Sequence, residues 1–186
     1  MRTPARTLGM SAPSDRALRR ARSLASHVTA SSTGRDGSGP GSTESPESWV
    51  RREGERFGPG EWLVVDQTRV DAFAECTEDR QWIHRAGAAT PFGGPIAHGF
   101  LTLSLLPALC KDVLPSHAWV ASEINCGFNK MRFVSPVAVG ARIRAAVARA
   151  PPARGVETVT KVTVEIEGNA KPALVAEWVT RQYAAA

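Results

Sequence analysis

The chain has 186 residues, room for one domain with an appendage but little for two independent cores. Hydrophobic residues are 42% and charged residues 22%, an ordinary soluble composition, and no uncharged apolar run is long enough to cross a bilayer as a helix. The net charge of +5 is unevenly spread: residues 1–45 hold seven Arg against Asp15, Asp36 and Glu44, and the remainder carries only +1. A nearly neutral body argues against a nucleic-acid groove. Cys76, Cys110 and Cys126 are odd in number, widely spaced and set among apolar neighbours, which fits free thiols in a reducing compartment better than disulfides or a zinc site.

In chain order, Asp15 to Val28 places Leu18, Ala21, Leu24, Ala25 and Val28 near one face of a basic amphipathic helix. Residues 29–46 follow with 14 of 18 positions Gly, Pro, Ser or Thr, a composition that cannot bury enough surface to order itself. Residues 1–46 therefore read as a disordered basic extension with linker, or as an organelle transit peptide with its Arg- and Ser-rich, acid-poor signature. The location expected is cytoplasmic, or an organelle matrix in the second case. The folded body, residues 47–186, should begin near Trp49. Glu61 to Asp66 reads as a short strand, and Thr68 with Asp71 as a capping box for a helix ending near Thr77, with Val70, Phe73 and Ala74 facing inward. The run from His98 to Val113 is apolar on nearly all sides, so it predicts a buried helix, kinked at Pro107.

Strands are expected at Trp119–Cys126, Asn129–Phe133 and Ala141–Arg149, with breaks at Gly127, Pro136, Gly140 and Pro151-Pro152. Val156 to Glu167 alternates as a half-buried strand does, and Gly168-Asn169 marks a turn into Ala173–Tyr183, giving a hairpin. The order predicts an α+β domain with a long helix against a curved antiparallel sheet.

Chemistry concentrates in Thr77-Glu-Asp79-Arg-Gln-Trp-Ile-His84. Asp79 and His84 are five apart, about 140° on a helix and on opposite faces of a strand, so only a turn or helix end brings them together. Converged, a carboxylate and an imidazole hold a water and move a proton near neutral pH. Glu78, Trp82 and Ile83 read as solvent-facing or packing residues. In Pro91-Phe-Gly-Gly-Pro-Ile-Ala-His-Gly99, the first helical amides near Gly99 have no intrahelical acceptor and offer an oxyanion site. His98, with no carboxylate adjacent in sequence, reads as structural or gating.

The stretch ECTEDRQWIHRAGAATPFGGPIAHGFLTLSLLP resembles the MaoC-like dehydratases, the (R)-specific enoyl-CoA hydratases of hotdog fold, in the branch of nodulation protein N and the mycobacterial short-chain hydratases. The likeness continues through INCGFNKMRFVSPVAVGARIRA and VTVEIEGNAKPALVAEWVTRQY. It implies a hotdog homodimer with sites at or near the subunit interface. It implies Asp79 and His84 as catalytic residues adding water syn across a trans-2-enoyl-CoA, with the thioester oxygen held at Gly99. It also implies substrate contacts from Gln81, Asn129, Lys130 and Arg132, the last two toward CoA phosphates, and neither a metal nor a bound redox cofactor, the CoA thioester being substrate. Gln81-Trp82 stands where many family members have Asn-Pro, and the segment after His84 is roughly three or four residues shorter than usual, a change loops tolerate. The alternatives are a hotdog thioesterase, a non-catalytic acyl-CoA-binding module, and a tail that recruits nucleic acid or membrane through its Arg residues.

Overall fold

The computed structural model describes residues 54–149 and 157–184. The expected helix at 15–28, the linker at 29–46, the boundary at Trp49 and the Pro151-Pro152 break lie outside the described residues.

Most of the sheet forms from the C-terminal part of the chain. Strands β3 (Val120–Phe133), β4 (Arg142–Arg149), β5 (Glu157–Ile166) and β6 (Leu174–Ala184) are joined by β1 (Arg56–Phe57) and β2 (Leu63–Val64). All pairs are antiparallel in the order β1-β4-β5-β6-β3, with β2 also on β4. The expected hairpin is present, with Val162 opposite Ala176 and Val164 opposite Leu174. Its alternation places Thr158, Thr160, Val162, Val164 and Ile166 in the interior. The segment expected as a strand from Glu61 to Asp66 pairs as a ladder only at Leu63–Val64, while Gly60 bonds Ala145 of β4 and Val65 bonds Gly140 and Ala141 just before it.

Helix α1 (Gln67–Thr77) buries Val70 and leans Phe73 toward the core. Its cap is Asp66, whose carboxylate accepts the Arg69 N–H at 2.8 Å, rather than Thr68. Asp71 instead accepts from the Gln67 side chain at 2.7 Å.

The apolar run from His98 forms two short helices, α2 (Gly99–Ser104) and α3 (Leu106–Cys110), meeting at Leu105. The interruption exceeds the expected kink: Pro107 has no N–H for the Leu103 carbonyl, so the ladder is broken there. Nor is the run covered on every side. Leu101, Leu105, Leu106, Leu109 and Cys110 pack against the sheet, while Phe100 is 65% exposed. The segments expected as separate strands around Gly127 are one 14-residue strand, β3. Gly127, at φ 141°, lies at a register shift, so it marks a bulge rather than a break. Among the described residues β3 is hydrogen-bonded on one side only, to β6.

Candidate active site

Helix α1 ends at Thr77 because Glu78 turns left-handed, at φ 61°. That conformation is uncommon for a side-chain-bearing residue, and it redirects the chain into a loop that closes in a 3-10 turn at Trp82–His84. The turn requirement read from the Asp79/His84 spacing is met in this way. Arg80 reaches back to Glu75 with two bonds of 3.0 and 2.8 Å, and Arg85 donates to the Arg80 carbonyl at 3.0 Å, so the loop is tied to the helix that launches it. The guanidinium bond lowers the Glu75 carboxyl below its ordinary value.

His84 is buried and held at several atoms despite the short segment that follows it. Its amide donates to Gln81 at 3.2 Å, and its carbonyl accepts from the Gln67 side chain at 2.9 Å. Its Nδ1 lies 2.7 Å from the carbonyl of Ile96. A carbonyl only accepts, so Nδ1 carries the proton and Nε2 presents a lone pair. Ile96 is fixed in turn: its amide donates to Ile83 at 3.1 Å, and Ala97 donates to Val137 at 2.8 Å. The Pro95–Ala97 segment thus stitches the His84 loop to the chain leading into β4.

Asp79 is exposed, and one side-chain ligand atom from each of Asp79, His84 and His98 lies within 4.8 Å of the others. His98 is buried, with its ring stacked on His84 at 3.6 Å between centroids and 26° between planes. These three side chains are the one group among the described residues with the residue types and spacing of a metal site. The two rings nevertheless run face to face, so their in-plane lone pairs do not converge at coordination distance, about 2.0–2.1 Å for zinc to imidazole nitrogen. This arrangement suits holding a water and relaying a proton better than gripping a cation.

Beside His84 opens a cavity of about 370 Å³ lined by Ile83, Phe92, Gly99, Thr102, Phe133 and Val134 among others. That volume falls within the usual range for small-molecule sites. Gly99 is the first residue of α2, and a Cβ there would meet the Phe133 ring at 3.1 Å, so any larger residue would have to push the ring back by a few tenths of an ångström. Gln81 borders a second, smaller cleft on the other side of His84.

Asn129, Lys130 and Arg132 are placed elsewhere. They line an open groove of about 810 Å³ where β3 meets β6 and β5, together with Met131, Lys161 and Glu177. Phe133 was not picked out from the sequence, and His98 was read there only as structural or gating. Phe133 reads only as a strand residue, though its place in the NKMRF run was a usable signal. His98 meets Asp79 through that residue's main-chain carbonyl, 2.9 Å from Nε2, although the two are 19 positions apart.

The family model described as the MaoC like domain matches residues 49–170. The chain belongs to that family. Nodulation protein N of Rhizobium leguminosarum bv. viciae is 45% identical over 137 residues, covering 69% of this chain and 85% of that protein. The 3-hydroxyacyl-thioester dehydratase Z of Mycobacterium tuberculosis is 43% identical over 148 residues, covering 76% and 97%. Among solved structures, the (R)-hydratase of A. caviae involved in PHA biosynthesis superimposes with a TM-score of 0.58 at 26% identity, covering 69% of this chain and 95% of that one. The domain is thus a MaoC-like hotdog, as the resemblance implied, and the family is one of hydratases and dehydratases. No helix among the described residues is long and apolar enough to cross a membrane.

Proposed function

We propose that the protein is an (R)-specific enoyl-CoA hydratase, running in reverse as a 3-hydroxyacyl-thioester dehydratase. The observation that carries this reading is the convergence of the Asp79 carboxylate and His84 beside a cavity that Gly99 also lines. A water held between the Asp79 carboxylate and the bare Nε2 of His84 loses a proton to this pair, and its oxygen bonds to C3 of a trans-2-enoyl thioester. The electron pair of the double bond moves onto the thioester oxygen, where the Gly99 N–H stabilises it, and the proton is returned to C2 on the same face. The product is the (R)-3-hydroxyacyl thioester. No metal or redox group takes part in this scheme.

Gln81 is assigned to substrate contact beside His84. Asn129, Lys130 and Arg132 are assigned to the CoA end. The phosphates of CoA sit at the far end of a long flexible arm, so cations that meet them belong away from the thioester. A homodimer completes the proposal: the open edge of β3 and the exposed Phe100, Ile124, Phe128 and Phe133 give a second copy both backbone and apolar surface to cover.

The test is hydration of crotonyl-CoA, followed as loss of enoyl absorbance. Asp79→Asn and His84→Ala should each abolish it in a folded protein. Release of free thiol without hydration would select a thioesterase, and full activity in either variant would remove the mechanism.

A further inference from the structure

His98 stands where three constraints meet. Its main chain opens α2, with its carbonyl accepting the Thr102 N–H at 3.2 Å. Its ring is clasped between Phe73, at 5.1 Å, and His84, at 3.6 Å. Its Nε2 lies 2.9 Å from the carbonyl oxygen of Asp79. That oxygen only accepts, so Nε2 carries the proton and Nδ1 is left a bare acceptor. Nδ1 is buried and has no partner among the described residues, in a side chain only 2% exposed.

An unsatisfied buried nitrogen is a cost that a packing residue would not carry, since phenylalanine or leucine would fill similar space without it. What the imidazole adds over those is one N–H, and that N–H goes to Asp79. Asp79 otherwise lies on an exposed loop, while His84 is anchored through the Ile96 carbonyl. His98 is the element that touches both, by a hydrogen bond to one and by a ring face against the other.

We propose that His98 is a positioning residue for the hydration chemistry. It fixes the main chain of Asp79 through Nε2–H and the ring plane of His84 through stacking, and so sets the gap in which the reacting water is held. This inference rests on the hydratase reading above. A group that sets geometry acts on the chemical step, where a misplacement of about 1 Å costs up to about 10²-fold in rate, and leaves ground-state binding of the thioester largely alone.

Two variants separate its contributions in the full-length protein. His98→Phe keeps an aromatic face against His84 and loses the donor. His98→Gln keeps a donor that can reach the Asp79 carbonyl and loses the ring. With crotonyl-CoA, His98→Phe is expected to lower kcat about 10- to 100-fold with KM within about twofold, and His98→Gln to recover part of that loss. Wild-type kcat in His98→Phe, or a change confined to melting temperature or KM, would overturn the role. If neither variant folds, the ¹⁵N spectrum of the unaltered protein decides: a proton on His98 Nε2 supports the inference and a proton on Nδ1 overturns it. A wild-type protein that hydrates no enoyl-CoA is a different failure, that of the reaction assignment itself, and takes the role with it.

Discussion

The centre of the sheet and the catalytic loop are held together by different means. Where β4, β5 and β6 face the helices the packing is mainly apolar and interlocked, with Ile143, Val164 and Leu174 fully buried and paired across ladders. From Glu78 to His98 the restraints are individual polar bonds: His84 to Ile96, His98 to Asp79, Gln67 to His84, Arg80 to Glu75. The first arrangement supplies stability through area removed from water; the second supplies aim, and few of its bonds bury enough surface to hold the fold by themselves. The contrast teaches that damage to the two regions should appear in different measurements.

The largest effect separates them most sharply. Asp79→Asn and His84→Ala should each reduce kcat by about 10²- to 10⁴-fold, the range of general acid-base contributions, with melting temperatures close to wild type. Ile143→Ala is the converse: it should cost about 2–5 kcal/mol in denaturant unfolding while turnover per folded molecule is retained. A core substitution that abolished turnover without loss of stability would dissolve the distinction.

The two regions were unequally legible in the sequence. The β5–β6 hairpin could be read because its strands alternate strictly and Gly168-Asn169 marks the turn between them. The Asp79/His84 convergence could be read as a requirement for a turn, though not the left-handed Glu78 that makes it. β3 was misread at Gly127, because a glycine inside a strand looks the same in sequence whether it ends the strand or admits a bulge. The run after His98 was expected to be covered on all sides; its composition says how apolar it is, not that Phe100 is left facing outward beside Phe133. His98 itself was illegible as a partner of Asp79, since only the folded path from α1 to α2 brings them together.

Smaller effects refine the comparison. Lys130→Ala combined with Arg132→Ala should raise KM for a CoA thioester about tenfold, equivalent to about 1.4 kcal/mol, and leave KM unchanged for a short thioester that lacks the nucleotide. Equal effects on both substrates would place these cations outside CoA recognition. Thiol labelling should also divide by environment. Cys110 is buried in the core and its thiol is pushed up to about 12, chiefly by burial and then by the charge of Glu123, so it should resist labelling at pH 8 in the native protein. The exposed Cys76 and Cys126 should react without denaturant.

The smallest effect belongs to Glu75. Its carboxyl is held below 4.5 by the Arg80 hydrogen bond, so its contribution is present above the ordinary glutamate range and is lost as pH falls through the folded-state value. Glu75→Gln should therefore lower the melting temperature slightly at pH 7, with the gap to wild type closing as the solution is acidified below 4.5. The pair is exposed, so solvent screening keeps this effect small. A gap that widened in acid would contradict the assigned ion pair.

The central claim is that Asp79 and His84 deliver one water to one face of an enoyl thioester. Its most direct test is turnover of crotonyl-CoA by the wild-type protein in deuterated water, with the product's stereochemistry resolved at C2 and C3. The account requires (R)-3-hydroxybutyryl-CoA with deuterium added at C2 on the same face as the hydroxyl, and no free CoA. An (S) product, addition to opposite faces, or thioester cleavage in place of hydration would contradict it.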